Sequence, residues 1–418
     1  MKIWKKFGLV VLTSLMALGL GACGQKKEDN TIVFWNPLTG DDGKYMNNIV
    51  SQYNKTNPKY KVKAVVTSDM YTKINTVMNS KKGIPDMTII HADRIPGFVK
   101  QGMLEPITTW TKSQKDLKSS NYLSEAWNAG TVGGKQYSVP LDIHSSAMYY
   151  NKDLLKKYGV ENWLDDGVIT IPEILSLKGK MKKGDYVVND ALISWVLLAE
   201  LNNAGGDVQD SKGNPTVDTP QMRKAIEAVK SIADAGLMTP YGTDGYLKFQ
   251  SQHVLLSTDG TWTSTAHKAV KGLNFGVTNV YSLDANKFTN RGSSHEFTML
   301  KKSKEERSNA KEKGIAKFVE YMRTHSIEWA KAGQIPASNN VNESETYKKN
   351  YMQAFFTSTP KEEASLKIYT YVYYPEVQES LDKYGADMVH GKMSVVKGLA
   401  KAQKYVDDKV KEAEKSEK

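Results

Sequence analysis

The chain is 418 residues long, 40% hydrophobic and 25% charged, a globular composition that exceeds what one hydrophobic core usually supports, so two domains are expected. Its formal net charge is +11, but the lysines are scattered among acids instead of grouped with aromatics on one stretch, which argues against nucleic acid as a partner. A single cysteine, Cys23, excludes an intramolecular disulfide framework.

Lys2, Lys5 and Lys6 precede an apolar run from Phe7 to Leu20 that is too short and wrongly flanked for a durable membrane span, the pattern of an export signal. Cys23 follows Leu20-Gly21-Ala22 directly and resembles the bacterial lipobox, in which small residues admit the signal peptidase and the thiol receives diacylglycerol. Residues 1–22 are therefore expected to be a signal peptide and residues 23–30 a polar tether. Removing the signal takes three lysines and no acid, leaving +8. Gly19, Gly21 and Gly24 fit a G-x-G-x-x-G pattern, but no strand–turn–helix unit surrounds them and the match is accidental.

From Thr31 the hydrophobic period alternates between two and 3.6. Thr31 to Trp35 reads as a strand, Tyr45, Ile49, Val50 and Tyr53 as a helix face, Tyr60 to Thr67 as a strand, Tyr71, Ile74, Val77 and Met78 as a helix and Asp86 to Ile90 as a strand. Right-handed crossovers make this β-α-β-α-β series a parallel sheet covered on both faces. Gly133-Gly134-Lys135-Gln136-Tyr137 reads as a hairpin turn, and the extended runs Tyr137 to Leu141 and Ala147 to Asn151 flank a polar middle, Asp142-Ile143-His144-Ser145-Ser146, suited to a link between lobes. The theme then repeats with longer helices: an apolar one around Trp195, and one from Pro220 to Ala235 with Thr219 as N-cap and Gly236 after its end. Phe275 to Tyr281 is a second crossing candidate, Glu296 to Leu300 another strand, and Val395 to Val410 an amphipathic helix before a charge-rich end expected to fray.

The fold class is thus α/β with two lobes, each a mostly parallel sheet flanked by helices, joined by crossing strands. The expected division is 31–141 with 282–336 for the N-lobe and 142–281 with 337–418 for the C-lobe.

Catalytic patterns are missing. The 7 histidines show no metal-ligand spacing, there is no G-x-S-x-G elbow, and Ala129 stands where a P-loop needs its first glycine, so neither a metal nor another cofactor is expected. Paired carboxylates brought together in space would still serve a glycosidase. Binding chemistry fits better, because a sugar offers planar C–H patches for aromatic rings and a rim of hydroxyls for Asp, Asn, Arg or His. That mix occurs at loop-like positions: Trp35 and Asn36; Asp69 and Tyr71; His91, Asp93 and Arg94; Asp142 and His144; and Trp262 after Asp259-Gly260-Thr261. Each has a plainer alternative: a core ring for Trp35, Trp195 or Trp262, a helix-capping ion pair for Asp93 and Arg94, and backbone satisfaction at the crossing for Asp142 and His144.

Phe34 to Gly40, Pro85 to Arg94, Tyr137 to Pro140 with Met148 to Leu155, and Gln334-Ile335-Pro336-Ala337 together resemble landmarks of the bacterial extracellular solute-binding proteins of the carbohydrate-transporter type, the group that includes maltose-binding protein. The resemblance implies a periplasmic-binding-protein-like fold, ligand held between lobes by hinge closure, and delivery to the permeases and cytoplasmic ATPase of an ABC importer. It implies an exported, non-enzymatic monomer held by a lipid on Cys23 at the outer face of the cell membrane. Carried over by position, His91, Asp93 and Arg94 are N-lobe sugar contacts, Asp142 and His144 lie at the first crossing, and Trp262 is the C-lobe stacking ring. Trp195, His295 and Glu296 complete the candidate set, the last two in a loop, Arg291 to Glu296, where the family often has Gly-Gly; likewise Gly260-Thr261-Trp262 stands where it often has Gly-Pro-Trp. Arg94, Arg291 and His295 also suit a phosphate-bearing solute such as glycerol phosphate.

Overall fold

A computed structural model describes residues 30–303 and 306–416. The signal, the tether up to residue 29 and Cys23 lie outside the described residues. In chain order the strands are β1 Thr31–Asn36, β2 Lys61–Val66, β3 Met87–His91, β4 Leu104–Glu105, β5 Thr131–Val132, β6 Lys135–Gln136, β7 Ser138–Pro140 and β8 Asp142–Asn151. They continue as β9 Val168–Thr170, β10 Tyr186–Val188, β11 Val254–Gly260, β12 Phe275–Ser282, β13 Asn290–Ser293, β14 His295–Leu300, β15 Ile335–Pro336 and β16 Leu366–Ile368.

Two sheets result. The first has the order β2-β1-β3-β14-β4 with β7 on β14; the second has β10-β11-β8-β12-β9, with β13 and β15 on β8 and β16 on β13. The expected β-α-β-α-β opening is present: β1 pairs in parallel with β2 and β3, and the connecting helices are Asp41–Lys55 and Met70–Ser80. On β1 the period of two turns Ile32, Phe34 and Asn36 inward, whereas β3 is buried along its length up to His91, as a central strand must be.

The sheets are mixed where mostly parallel ones were expected. β14 runs antiparallel to β3, β4 and β7, and β8 antiparallel to β11, β12, β13 and β15. The cause is the crossings themselves. The chain leaves the first sheet at β7, passes Leu141 and enters the second as β8; it leaves the second at β13, passes Ser294 and re-enters the first as β14. Each crossing strand arrives from the opposite side to the βαβ-linked strands and so pairs against them. The polar stretch Asp142 to Ser146, expected as the middle of an extended crossing, is the first half of the ten-residue β8, and partners on both sides take up its backbone groups.

The first sheet is covered by helix Asn309–His325, whose Phe318 ring lies 6.0 Å from Phe34 and 6.3 Å from Phe297. The second is covered by helices that bury Leu197, Val229, Leu381 and Leu399 in one cluster with Leu255 and Val280 of β11 and β12. Thr219 caps helix Pro220–Asp234 by accepting from the Met222 amide at 3.1 Å. The last helix buries Val395, Leu399, Ala402 and Val406 and runs from Val395 to Ser416, further into the charge-rich end than its composition suggests.

Two positions hold the loop that carries Trp262 in place. Gly333 has φ +85°, and a Cβ there would sit 2.5 Å from the Thr261 carbonyl oxygen. Gly333→Ala should therefore cost about 2 kcal/mol or more, combining backbone strain with a clash, and lower the melting temperature by several degrees; an unchanged melt would mean that the loop is free to retreat. Asp259, 8% exposed at the end of β11, accepts from the Gly260 amide at 2.7 Å. Burial nonetheless pushes its carboxyl from 3.8 up to about 6. The unfolded chain ionises this group first, so the cost to stability is absent below about pH 4, grows up to about pH 6 and is full above it. Asp259→Asn should then stabilise the fold by roughly 3 kcal/mol at about pH 7 and leave it unchanged at about pH 3.5 in denaturant titrations; equal effects at both values would contradict the assignment.

Candidate functional site

The register of two strand pairs builds the site. In the antiparallel β3–β14 ladder His91 stands opposite His295, and in β13–β8 Ser293 stands opposite His144. Ser293 and His295 are separated only by the joint Ser294, so the crossings bring three histidines from β3, β8 and β14 together. Their ring centroids are 4.4 Å apart for His144 and His295, 5.0 Å for His91 and His295, and 5.5 Å for His91 and His144.

Beneath them lies Asp142, fully buried. Its Oδ1 accepts from the His295 amide at 3.1 Å and lies 3.2 Å from Nδ1 of His144; its Oδ2 lies 2.8 Å from Nδ1 of His295 and accepts from the Trp329 indole at 2.6 Å. Burial would raise this carboxyl, but the His295 charge and the hydrogen bonds from both histidines outweigh it and hold the group far below the usual carboxylate range. The two imidazoles are driven apart. Burial and the His295 charge lower His144 to about 4, whereas His295, opposed by burial, is raised by its pairing with Asp142. His91 is pushed well below its ordinary value by burial and by the His295 and His144 charges, and its Nδ1 meets the Tyr71 hydroxyl.

Two adjoining cavities of about 350 and 410 Å³ open over this floor and share Asp42, His91, Trp262 and His295. The larger is lined by Tyr71, Asp93, Arg94, His144, Trp195, Arg291, Ser293, Gln334 and Gln378 as well. Trp262 folds back over its own Gly260, where a Cβ would meet the ring at 2.1 Å, so the glycine is what lets the indole lie there. Trp195 stands edge-on to it at 5.7 Å. The Arg291 guanidinium stacks 3.6 Å from the Trp195 ring centroid and donates to Tyr374 and Gln378, which fixes one wall. Arg94 lies over the Tyr71 ring and 3.5 Å from Asp93, forming the local ion pair while still facing the cavity.

Of the residues singled out in the sequence, Tyr71, His91, Asp93, Arg94, His144, Trp195, Trp262 and His295 line these cavities. Trp35, Asn36, Asp69, Asp142 and Glu296 do not. Trp35 is half-buried on the face of β1 opposite Phe34, the Asn36 side-chain Oδ1 accepts from the Leu38 amide, and Asp69 is an exposed residue before helix Met70–Ser80. Asp142 acts from behind the histidines. Glu296, fully buried on β14, is pushed by burial up to about 8, so it is a neutral acid under ordinary conditions. The sequence reading did not place Asp42, Tyr246, Gln334 and Gln378 at the site. Gln334 opens the Gln334-Ile335-Pro336-Ala337 landmark, a signal that could have placed it, whereas Gln378 comes from helix Tyr374–Val389 with no local cue.

The family model described as bacterial extracellular solute-binding protein matches residues 48–354. Among curated relatives, a putative binding protein of Brucella abortus is 25% identical over 261 residues, and the match spans 60% of each chain. The maltodextrin-binding protein MdxE of Bacillus subtilis is 27% identical over 317 residues, covering 68% of this chain and 69% of the relative. The solved GacH receptor of Streptomyces glaucescens superposes with a TM-score of 0.75 at 22% identity, over 90% of this chain and 98% of that one, and so shares the two-lobe fold. With the family match running from the first helix past β15, through both sheets and all the crossings, this chain belongs to the bacterial extracellular solute-binding proteins.

Proposed function

We propose that the protein is an exported, non-enzymatic carrier that captures a sugar, an oligosaccharide by the extent of the cleft, between its two lobes and delivers it to an ABC importer. One observation carries this reading. Trp195, Trp262 and Tyr71 wall a cavity whose rim holds Asp42, Asp93, Arg94, Gln334 and Gln378, the pairing of ring faces and directional polar groups that a sugar needs, at a volume usual for small-molecule sites. The maltodextrin-binding relative supports the same class of ligand.

Capture works by population shift: the closed form gains contacts from both lobes only when solute bridges them, so binding energy offsets the cost of closing. The lobes are broadly 31–141 with 282–336 and 142–281 with 337–418: helix Asn309–His325 packs on the first sheet's side and helices Tyr374–Val389 and Val395–Ser416 on the second's, while β13 and β15, within 282–336, pair with β8 of the second sheet. The protein acts as a monomer, as the resemblance implies, and is anchored through lipidated Cys23 at the outer face of the membrane, the anchor resting on residues 1–23 of the sequence.

A thermal-shift panel of mono-, di- and trisaccharides with glycerol phosphates tests this. One sugar should raise the melting temperature as mass action requires, by about 2.7 kcal/mol of stability at a hundredfold excess over Kd. Trp262→Ala should weaken that binding roughly tenfold or more through lost stacking while barely moving the unliganded melt. A response to glycerol phosphates alone would replace the sugar with an anionic solute bound through Arg94, and turnover of a chromogenic glycoside would replace the carrier with an enzyme.

A further inference from the structure

We propose that the floor of the cleft is a divalent transition-metal site formed by the imidazoles of His91, His144 and His295, with Asp142 orienting two of them. One ring nitrogen from each lies within 4.8 Å of the others, and among the described residues no other group of three or more histidines, cysteines or acids converges in this way. The three rings line the same cavity, so a bound ion keeps an open face towards the solute space. The proposal goes beyond the sugar-carrier reading and does not depend on it.

The polar partners favour this use of the rings. Nδ1 of His144 and of His295 is held by Asp142, and Nδ1 of His91 by the Tyr71 hydroxyl. Among the described residues none makes a hydrogen bond to an Nε2 of the three, which leaves those atoms for an ion. Imidazoles fixed through the other nitrogen to a carboxylate are the arrangement that presets the tautomer and ring angle of a metal ligand. The charge around the floor is mixed: Asp142 behind it and Asp42 and Asp93 on the wall attract a cation, while Arg94 and Arg291 oppose one.

The donor set selects the ion. Three imidazoles without a thiolate suit zinc, copper, nickel or cobalt, whereas calcium and magnesium want carboxylate and carbonyl oxygens. Zinc–nitrogen bonds of about 2.0–2.1 Å in a tetrahedron put donors about 3.3 Å apart, so a pair at the 4.8 Å limit must close by about 1.5 Å. His91 and His295 belong to the first sheet and His144 to the second, so the ion would tie the lobes together.

The test is a zinc titration of the purified protein, free of any histidine tag and stripped by chelator, read by calorimetry and by the visible spectrum after loading with cobalt. The expected result is one saturable zinc per chain and cobalt bands of a four- or five-coordinate nitrogen site. His91→Ala, His144→Ala and His295→Ala should each weaken binding at least tenfold, Asp142→Asn by ten- to a hundredfold, and His253→Ala and His325→Ala should leave it unchanged. Should Asp142→Asn not fold, His91→Gln at the half-buried end of β3 takes its place with the tenfold loss as its expectation. Weak binding without fixed stoichiometry, or zinc held equally well by the His144→Ala and His295→Ala variants, would overturn the proposal. Because zinc is titrated without solute and the sugar panel is run on chelated protein, either reading can fail while the other stands.

Discussion

The structure depends on one buried carboxylate. Asp142 lies where the first crossing meets the second and is bonded to residues of three segments: His144 on its own strand, the amide and imidazole of His295, and the indole of Trp329 just before β15. An ionised carboxylate removed from water costs several kcal/mol unless its lone pairs are filled, and here charge-assisted donors fill them. The arrangement exists only if β8, β14 and the Trp329 helix arrive in their observed registers. A one-residue slip of β14 would turn His295 to the other face of the sheet and leave the charge unpaired.

The same carboxylate sets the charge pattern of the cleft floor. Two imidazoles on one anion cannot both hold a proton cheaply: against burial, pairing with Asp142 raises His295, whereas burial and the His295 charge lower His144 and His91. The next acid along β14, Glu296, then has no cation left to pair with, and burial together with the Asp142 charge keeps it protonated. Ser138 and Ser294 favour its ionised form only weakly. The floor therefore keeps its carboxylate behind the rings, while Asp42, Asp93, Arg94 and Arg291 carry the formal charges around the cavity wall.

Much of the fold was legible because its signals are local. The alternation on β1, the helical spacing of Tyr45, Ile49 and Tyr53, and the Thr219 cap each lie within a few residues, and the structure has all three. The sheet type was not, because parallel and antiparallel pairing follow from where a strand returns, and β14 joins β3 across some two hundred residues. The site divides the same way. Trp262 could be read from a strand-to-helix turn and His91 from a strand end. The three-histidine cluster could not, since its members lie on separate strands and no spacing motif links them. Asp142 lies at the crossing where a polar residue reads as facing the ligand, but His144, His295 and Trp329 close over its carboxylate and bury it.

The crossings also fix how the two sheets can move. Between them the chain has single-residue joints at Leu141 and Ser294, flanked on both sides by strands already committed to one sheet or the other. The joints are bonded to neighbouring segments: the Leu141 amide donates to the His295 carbonyl at 2.8 Å, the Ala337 amide to the Leu141 carbonyl at 3.1 Å, and the Ala92 amide to the Ser294 carbonyl at 2.9 Å. Independent swivelling of one joint would break these bonds, whereas turning all three segments about one shared line would preserve them. His91, His144 and His295 lie beside that line, where a given rotation moves atoms least. Trp195 and Gln378, on helices packed against the second sheet, lie off it and would travel further in such a rotation. A floor beside that line and walls away from it would let one set of polar partners stay satisfied through a change in the width of the cleft.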